Sequence, residues 1–316
     1  MTPSAEARPV VVVTAADLAP QALELLHDFQ VVYAGKTPDE DTLVQLCEKA
    51  QPVAIIVRYG KISARIMDAS KKLRVISKHG VGIDTIDTEA AAKRGIAVTA
   101  ATGANAAAVA EHTWGLILAC AKSIVDLNAR MQAGYWDKAT HKSLELKGKT
   151  LGILGIGAIG KRVAEVGLTL GMRTLAYDPY PANVPAGVTP CALTMVLSEA
   201  DVVTLHCPLT AENRHLINRE TLALMRNGAI LINTARGALV EQKALLEALR
   251  TGKLRAVALD TFETEPMSGT HEFSGIPNVI LTPHIAGVTS DTYVSMGMAA
   301  AHNVLEVLAK TKSAAG

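Results

Sequence analysis

The stretch Leu151–Val163, LGILGIGAIGKRV, decides the fold of the chain around it. A short apolar run, typical of a buried strand, ends in Gly155, Gly157 and Gly160, and a helical pattern follows at once. In such a turn the first glycine permits the tight bend, the second lets backbone approach a pyrophosphate, and the third lets the helix pack closely on the strand. The helix N-terminus adds amide donors. This order predicts a dinucleotide-binding turn.

An acidic residue stands where such a turn needs one. The next predicted strand, RTLAYD, ends at Asp178, 18 residues after Gly160. A carboxylate there can accept hydrogen bonds from both ribose hydroxyls of NAD, and it would repel the 2′-phosphate of NADP. We therefore expect NAD as the cofactor. The alternative is that Asp178 only caps the end of its strand.

Strands and helices alternate on both sides of this turn. Before it lie five β-rich runs, VVVVT, VVYA, VAIIVR, RVISKHG and IAVTA. After KGKT come six more, LGILG, RTLAYD, VVTLHC, AILINTA, RAVALD and NVILTP. The alternation predicts two doubly wound α/β domains, each with a parallel sheet covered by helices. We expect one long helix from Asn105, as its N-cap, to Met131, a last helix over residues 291–310, and a surface loop at YPANVPAG, residues 180–187.

The composition excludes several classes of protein. A net charge of +1 over 316 residues, with acids and bases interspersed, argues against a nucleic-acid or anionic-membrane partner. The longest apolar stretch, residues 114–121, is too short to span a bilayer, and the N-terminus lacks the apolar region of a signal peptide. The cysteines show neither a disulfide framework nor metal-ligand spacing, so we expect a cytoplasmic protein without a metal; they are Cys47, Cys120, Cys191 and Cys207.

Polar residues follow three predicted strands of the second half. NTARG places Arg236 after AILIN, LDTFETEP places Asp260 and Glu265 after RAVAL, and LTPHIAG places His284 after NVIL. Ligands of open α/β sheets bind at the carboxyl ends of the strands, so we expect these side chains to converge there. Taken singly, each has a structural alternative. Arg236 is then a surface charge, Glu265 a residue before a turn at Pro266, and His284 a structural histidine whose hydrogen bonds are made within the fold.

Seven motifs, in order, closely resemble the D-isomer-specific 2-hydroxyacid dehydrogenase family, which contains phosphoglycerate dehydrogenases and hydroxypyruvate and glyoxylate reductases. They are GVGIDTID (80–87), NAAAVAEH (105–112), GIGAIG (155–160), HCPLT (206–210), NTARG (233–237), ALDTFETEP (258–266) and LTPHIAG (281–287). The resemblance covers nearly the whole chain. It implies a flavodoxin-like substrate-binding domain, residues 1–103 and 287–316, and an inserted NAD-binding Rossmann domain, residues 104–286. It also implies a homodimer and an active site in the cleft between the domains.

By this resemblance the chain is an NAD-dependent oxidoreductase acting on 2-hydroxy acids, with Arg236, Glu265 and His284 as its catalytic trio. The forked guanidinium of Arg236 suits a substrate carboxylate, and His284 can exchange the hydroxyl proton while Glu265 orients its imidazole. Implied NAD contacts are Gly155, Gly157, Ala158, Ile159, Gly160, Asp178, Cys207, Pro208, Thr234, Asp260 and Gly287. Implied substrate contacts are Arg58, Lys78, Val81, Gly82 and Arg236.

Several alternatives stay open at this level. Arg58 and Lys78 either meet an anionic group at the distal end of the substrate or are solvated surface charges. The family also has relatives that use NAD to control assembly of a corepressor, so a binding protein of the same fold is the alternative to an enzyme. The chain ends soon after its last helical pattern, and we expect no appended regulatory domain.

Overall fold

The computed structural model describes residues 8–180, 183–267 and 269–314. The chain divides into two compact units, Met1–Asn105 with Val288–Gly316, and Ala106–Gly287. The second unit is thus inserted into the first, and each boundary lies within two residues of the expected one. The functions expected of the two units remain predictions.

The first unit is a five-stranded sheet with every strand parallel to its neighbours, in the order β2-β1-β3-β4-β5. This is the flavodoxin-like order, as predicted. Its strands are β1 Val10–Val13, β2 Gln30–Tyr33, β3 Ala54–Val57, β4 Val75–Lys78 and β5 Ala97–Ala100. Its helices are α1 Pro20–Leu25, α2 Glu40–Ala50, α3 Ala64–Asp68, α4 Thr88–Lys93 and, from the far end of the chain, α11 Ser290–Ala314.

Helix α11 completes the core of the first unit. The central strands β1 and β3 are short runs of Val, Ile and Ala buried on both faces, so each face needs a helical cover. On one face Ala300, Ala301 and Val304 of α11 are fully buried with Val11 and Val13 of β1. The small alanine side chains let the helix lie close to the sheet.

The second unit is a seven-stranded sheet, also parallel, in the order β12-β11-β10-β9-β6-β7-β8. Counted from β6 this is the Rossmann order, with the direction of winding reversing between β6 and β9. Its strands are β6 Thr150–Leu154, β7 Arg173–Tyr177, β8 Val188–Pro190, β9 Val202–Leu205, β10 Ala229–Asn233, β11 Leu254–Leu259 and β12 Val279–Leu281. Its helices are α5 Ala106–Lys122, α6 Ile124–Gln132, α7 Ala158–Thr169, α8 Leu193–Glu199, α9 Arg219–Leu224 and α10 Gln242–Arg250, with a 3-10 turn at Gly237–Leu239.

The expected count of six strands in the second half is wrong, because the structure adds β8 as a seventh. This strand has only three residues and contains Pro190, so it lacks the apolar run by which strands are predicted. It pairs with β7 at the edge of the sheet, where a proline is tolerated. The loop expected at residues 180–187 cannot be followed throughout, since residues 181–182 lie outside the described residues.

The single long helix expected over residues 105–131 is also wrong. It breaks at Ser123, whose φ of 53° is left-handed, and α6 begins one residue later. A neighbouring segment causes the break: the carbonyl of Ala121, which a continuing helix would use, accepts a hydrogen bond from Leu144 at 2.8 Å. Nor does Asn105 act as the expected cap, because its buried Oδ1 accepts no hydrogen bond from any described residue.

None of the helices in the described ranges is both long enough and apolar enough to cross a membrane.

Candidate active site

The three glycines of the turn after β6 have different surroundings. A Cβ atom on Gly155, whose φ is 99°, would lie 2.6 Å from the backbone nitrogen of Cys207. A Cβ on Gly160 would lie 2.1 Å from the carbonyl oxygen of Gly155. A Cβ on Gly157 would meet no described atom within 4 Å. Packing of the chain on itself therefore forbids a side chain at the first and third positions, while the second faces open space where a phosphate group needs close access to backbone.

Asp178, directly after β7, hydrogen-bonds to the backbone of the glycine turn. Its Oδ2 accepts a hydrogen bond from the backbone N–H of Ile156 at 2.9 Å, and its Oδ1 accepts one from Tyr180 at 2.9 Å. The carboxylate is therefore fixed beside the glycine turn, at the end of β7. Each oxygen keeps acceptor capacity for a hydroxyl group, since a carboxylate oxygen can accept more than one hydrogen bond. The turn, the start of α7 and this carboxylate together fit the pyrophosphate and adenosine ribose of NAD.

Arg236 lies in a tight turn after β10, and the buried side chain of Asn233 shapes that turn. The Asn233 amide donates to the carbonyl of Arg236 at 2.8 Å, and its Oδ1 accepts from Ala235 at 3.0 Å. The guanidinium Nη1 of Arg236 donates to the carbonyl of Ala235 at 2.7 Å. Asn233 is a supporting residue that the sequence analysis missed. Its position as the last residue of a buried strand was the available signal.

Glu265 and His284 form the hydrogen-bonded pair expected of an oriented acid–base histidine. The Oε2 atom of Glu265 lies 2.7 Å from Nδ1 of His284, and its Oε1 accepts the N–H of Phe262 at 2.9 Å. The bond at Nδ1 leaves Nε2 as the ring nitrogen for a substrate. His284 has a left-handed φ of 54°, a strained conformation that occurs preferentially at functional sites.

Asp260 anchors the loop that carries His284. Its carboxylate is fully buried and accepts hydrogen bonds from the hydroxyl of Thr282 at 2.6 Å and from the backbone of Ile285 and Ala286 at 2.9 Å each. The loop on both sides of His284 is thereby tied to the end of β11. This role was not foreseen, and the NAD contact expected of Asp260 remains a prediction.

The remaining residues expected to contact NAD lie at the carboxyl edge of the same sheet or at the start of α7. Thr234 is buried, and its hydroxyl lies 3.0 Å from that of Thr113 in α5. Cys207 is half-buried, and this burial raises the pKa of its thiol to about 11, so it stays protonated at neutral pH. Of the others, Ile159 and Gly287 are half-buried, and Ala158 and Pro208 are exposed.

The residues expected to contact substrate from the first unit lie at or just beyond the ends of β3 and β4. Arg58 is not a solvated charge, since its side chain is 16% exposed, pairs with Asp17 and stacks 4.8 Å from the ring centre of Tyr293. The ammonium of Lys78 donates to the carbonyl of Arg58 at 3.2 Å. The expected anion-binding role of both stays a prediction. Val81 and Gly82 belong to the loop after β4; the first is exposed and the second half-buried.

The described residues contain no cluster of three or more His, Cys, Asp or Glu side chains that could hold a metal. His206 lies beside the glycine turn, and its Nε2 is 3.0 Å from the hydroxyl of Thr204. Burial lowers the pKa of His206 to about 3, so it is neutral at physiological pH.

Comparison with known proteins finds relatives that cover nearly the whole chain. The model of the NAD binding domain of D-isomer specific 2-hydroxyacid dehydrogenases matches residues 114–286. The chain is 39% identical over 312 residues to a glyoxylate reductase of Aeropyrum pernix, covering 94% of this chain and 92% of that protein. It is 39% identical over 292 residues to a D-3-phosphoglycerate dehydrogenase of Methanocaldococcus jannaschii, covering 91% of this chain and 55% of that protein. The structure of an Aquifex aeolicus D-lactate dehydrogenase complexed with NAD and lactic acid matches with a TM-score of 0.83, 31% identity and 96% coverage of each chain.

The fold and the glycine turn define an NAD-binding α/β protein. The chain belongs to the D-isomer specific 2-hydroxyacid dehydrogenase family. It is accordingly an NAD-dependent oxidoreductase that acts on 2-hydroxy acids, as the resemblance of its motifs implied. The chain spans about half the length of the Methanocaldococcus phosphoglycerate dehydrogenase, so the activity of that longer protein carries over only as a proposal.

Proposed function

We propose that the chain interconverts a small D-2-hydroxy acid and its 2-keto acid with NAD, with a substrate of the glyoxylate, hydroxypyruvate or phosphohydroxypyruvate type. The observation that carries this proposal is the hydrogen-bonded pair of Glu265 and His284. Glu265 follows β11 and His284 follows β12, and β11 lies between β12 and β10, the strand that precedes Arg236. A carboxylate, an imidazole and a guanidinium at one sheet edge are what proton transfer at C2 and binding of the adjacent carboxylate require.

NAD would be held by the glycine turn, with its pyrophosphate at Gly157 and the start of α7 and its adenosine ribose at Asp178. When bound, NAD would supply the acceptor for a hydride from C2 of a hydroxy acid, or in reduced form the donor of a hydride to a keto acid. The backbone does the positioning, because hydrogen bonds from fixed amides hold a phosphate without the loss of side-chain freedom.

His284 is the residue that we propose moves the proton. In the oxidative direction its Nε2 accepts the hydroxyl proton at C2, and in the reductive direction it donates that proton to the keto oxygen. Glu265 keeps the ring in one orientation through Nδ1 and stabilises the imidazolium that results. Arg236 engages the substrate carboxylate and polarises the C2 oxygen. For the far end of the substrate we propose backbone amides around Val81 and Gly82, with Arg58 and Lys78 as candidates for a distal anion.

The test is consumption of NADH with a panel of keto acids comprising glyoxylate, hydroxypyruvate, pyruvate and phosphohydroxypyruvate, for the natural chain and for His284→Ala. Removing the acid–base group should lower kcat roughly 10²–10⁴-fold, since general acid–base catalysis contributes factors of that size. NADH affinity should survive, because the glycine turn is unchanged. His302→Ala, an exposed histidine of α11, is the matched control and should match the natural chain.

Two outcomes would contradict the proposal. Tight NADH binding by the natural chain without turnover of any keto acid would favour the NAD-sensing binding protein instead. Loss of NADH binding in His284→Ala would make this histidine a structural residue.

We further propose that the chain is cytoplasmic and forms homodimers. The four cysteines are all free and two are fully buried, which suits a reducing compartment. A cluster of exposed apolar side chains on and after α6 supports self-association through the second unit.

A further inference from the structure

Two backbone segments carry the proposed catalytic residues, and a single glycine brings these segments into contact. Gly237 directly follows Arg236 and is buried. A Cβ atom on Gly237 would lie 1.9 Å from the carbonyl carbon of Phe262 and 2.4 Å from the backbone nitrogen of Glu263. The turn that bears Arg236 is therefore packed directly on a peptide group of the loop that bears Glu265.

His215 joins the same two segments through its backbone and its side chain. Its backbone N–H donates to the carbonyl of Ala238, one residue beyond the glycine, at 2.9 Å. Its Nε2 lies 2.5 Å from Oε1 of Glu263. The φ of His215 is 55°, a left-handed value that a residue with a side chain keeps only where its surroundings enforce it. Arg214 is also near Glu263, but at 3.6 Å and more than half exposed it contributes little.

The loop fixed in this way sets the position of the acid–base histidine. Glu265 lies two residues beyond Glu263, and its carboxylate spans the N–H of Phe262 and Nδ1 of His284. A shift of the Phe262 backbone would therefore carry with it the oxygen atoms that orient His284. His215 is thus connected to His284 by successive contacts through Glu263 and Glu265 of this loop.

We propose that His215 and Gly237 are positioning residues, which fix the loop of Glu265 against the turn of Arg236. Arg236 and His284, the ring that Glu265 orients, then meet one substrate. The inference rests on the proposed function and extends it to two residues outside the trio. Misplacing catalytic groups by about 1 Å can cost roughly 100-fold in rate, so a mispositioned loop has a measurable effect.

The first experiment compares His215→Ala with His215→Gln, since the glutamine amide supplies an N–H donor in place of the imidazole. We expect His215→Ala to lower kcat with the best keto acid by roughly 10-fold or more, and His215→Gln to recover most of it. The control is Arg173→Ala, at the start of β7 in the same unit. This substitution breaks the ion pair between Arg173 and Glu199. Control and variants should bind NADH as the natural chain does. Equal loss in the alanine and glutamine variants, or equal loss in the control, overturns the proposal.

A double-mutant cycle tests the route through Glu265. If His215 acts through that carboxylate, His215→Ala should have little further effect once Glu265→Gln has been made, whereas independent roles give multiplied losses. Without any cofactor, the ring nitrogen NMR signals of His284 should also change in His215→Ala and not in Arg173→Ala. Multiplied losses or unchanged signals contradict the positioning role.

These readouts separate the inference from the proposed function. If the natural chain turns over no keto acid, the proposed function fails, while the His284 signals still decide whether His215 positions that ring. Gly237→Ala should be the most damaging change, because its Cβ has no room. If that variant does not fold, the two His215 variants carry the test.

Discussion

Asp178 combines two tasks that can be separated by substitution. Its oxygens accept hydrogen bonds from the backbone beside the glycine turn. Its proposed second task is to repel the 2′-phosphate of NADP. Asp178→Asn keeps an acceptor but removes the charge, while Asp178→Ala removes both. We expect the ratio of kcat/KM for NADH over NADPH to fall about 10-fold in Asp178→Asn, since hydrogen bonds to charged groups are worth about 1.5–3 kcal/mol.

The alanine variant provides the comparison. It should lose the NADH preference and also melt at a lower temperature, because the N–H of Ile156 loses its acceptor. An unchanged NADH preference in both variants would show that Asp178 only caps its strand, which was the alternative at the outset.

His79 makes stability depend on pH. It is buried at the end of β4, its Nε2 lacks a hydrogen-bond partner among the described residues, and its ring lies 6.0 Å from that of Tyr293. Burial, with smaller contributions from the charges of Arg58 and Lys78, lowers its pKa from 6.5 to about 4. The unfolded chain therefore binds a proton below pH 6.5 that the folded chain does not accept until about pH 4.

The free energy of unfolding should consequently fall as the pH drops through that window, by about 2 kcal/mol from this group at pH 5. Chemical denaturation of the natural chain and of His79→Gln at pH 7.5 and pH 5 measures the effect. The variant should lose less stability than the natural chain between the two values. Parallel losses would mean that other groups, such as His206, account for the whole pH dependence.

Residue-level prediction succeeded where chemistry follows directly from position along the chain. Glu265 and His284 were expected at one sheet edge because both follow strands, and the structure brings them within 2.7 Å. His215 and the anchoring role of Asp260 could not be predicted, because they depend on hydrogen bonds between loops far apart in sequence. Asn233 acts locally, on Ala235 and Arg236, and its place at the end of a buried strand was the available signal. A polar residue at the end of a strand indicates a site, but its position in the sequence does not predict which loop it will hydrogen-bond.

At the scale of an element, two glycines of the turn between β6 and α7 have different tasks. Gly160 is needed for folding, and Gly157 is the one expected to be needed for NADH binding. Gly160→Ala would push a methyl group onto the carbonyl of Gly155, 2.1 Å away, whereas Gly157→Ala meets only open space. We expect Gly160→Ala to lower the melting temperature sharply, and Gly157→Ala to melt as the natural chain does. Gly157→Ala should instead weaken NADH binding about 10-fold or more, because the methyl group occupies the approach of the pyrophosphate.

Differential scanning fluorimetry and NADH fluorescence titration measure the two effects on the same samples. The backbone of Gly157 has a φ of −74°, which alanine adopts without strain, so the variant adds volume and nothing else. Undiminished NADH affinity in Gly157→Ala would place the cofactor elsewhere.

Element prediction failed where tertiary contacts override local pattern. The periodicity over residues 105–131 is continuous, yet the hydrogen bond from Leu144 to Ala121 ends α5 and turns the chain at Ser123. Strand β8 forms because β7 offers a free edge, although VTP has little strand character of its own. Both features depend on a neighbouring segment of the fold. A prediction that uses only nearby residues in the sequence does not include that segment.

For the whole molecule, the exposed face of α6 argues for a second copy. The helix has no buried residue among those described, and its Ile124, Val125 and Met131 are each more than half exposed. Tyr135 and Trp136 follow it with 55% and 76% exposure. Large aromatic and aliphatic side chains grouped in this way are typical of protein–protein interfaces.

We therefore expect the natural chain to be a dimer, and the double variant Ile124→Asp, Val125→Asp to be a monomer at micromolar concentration, since each buried carboxylate would lack a partner. Sedimentation velocity measures the change. Leu224→Asp is the matched control, because Leu224 is a large apolar residue of the same unit with 46% exposure, set in α9 and away from α6. It should leave the dimer intact. A natural chain that sediments as a monomer would contradict the proposed homodimer, and a dimer that survives the double substitution would place the interface on another surface.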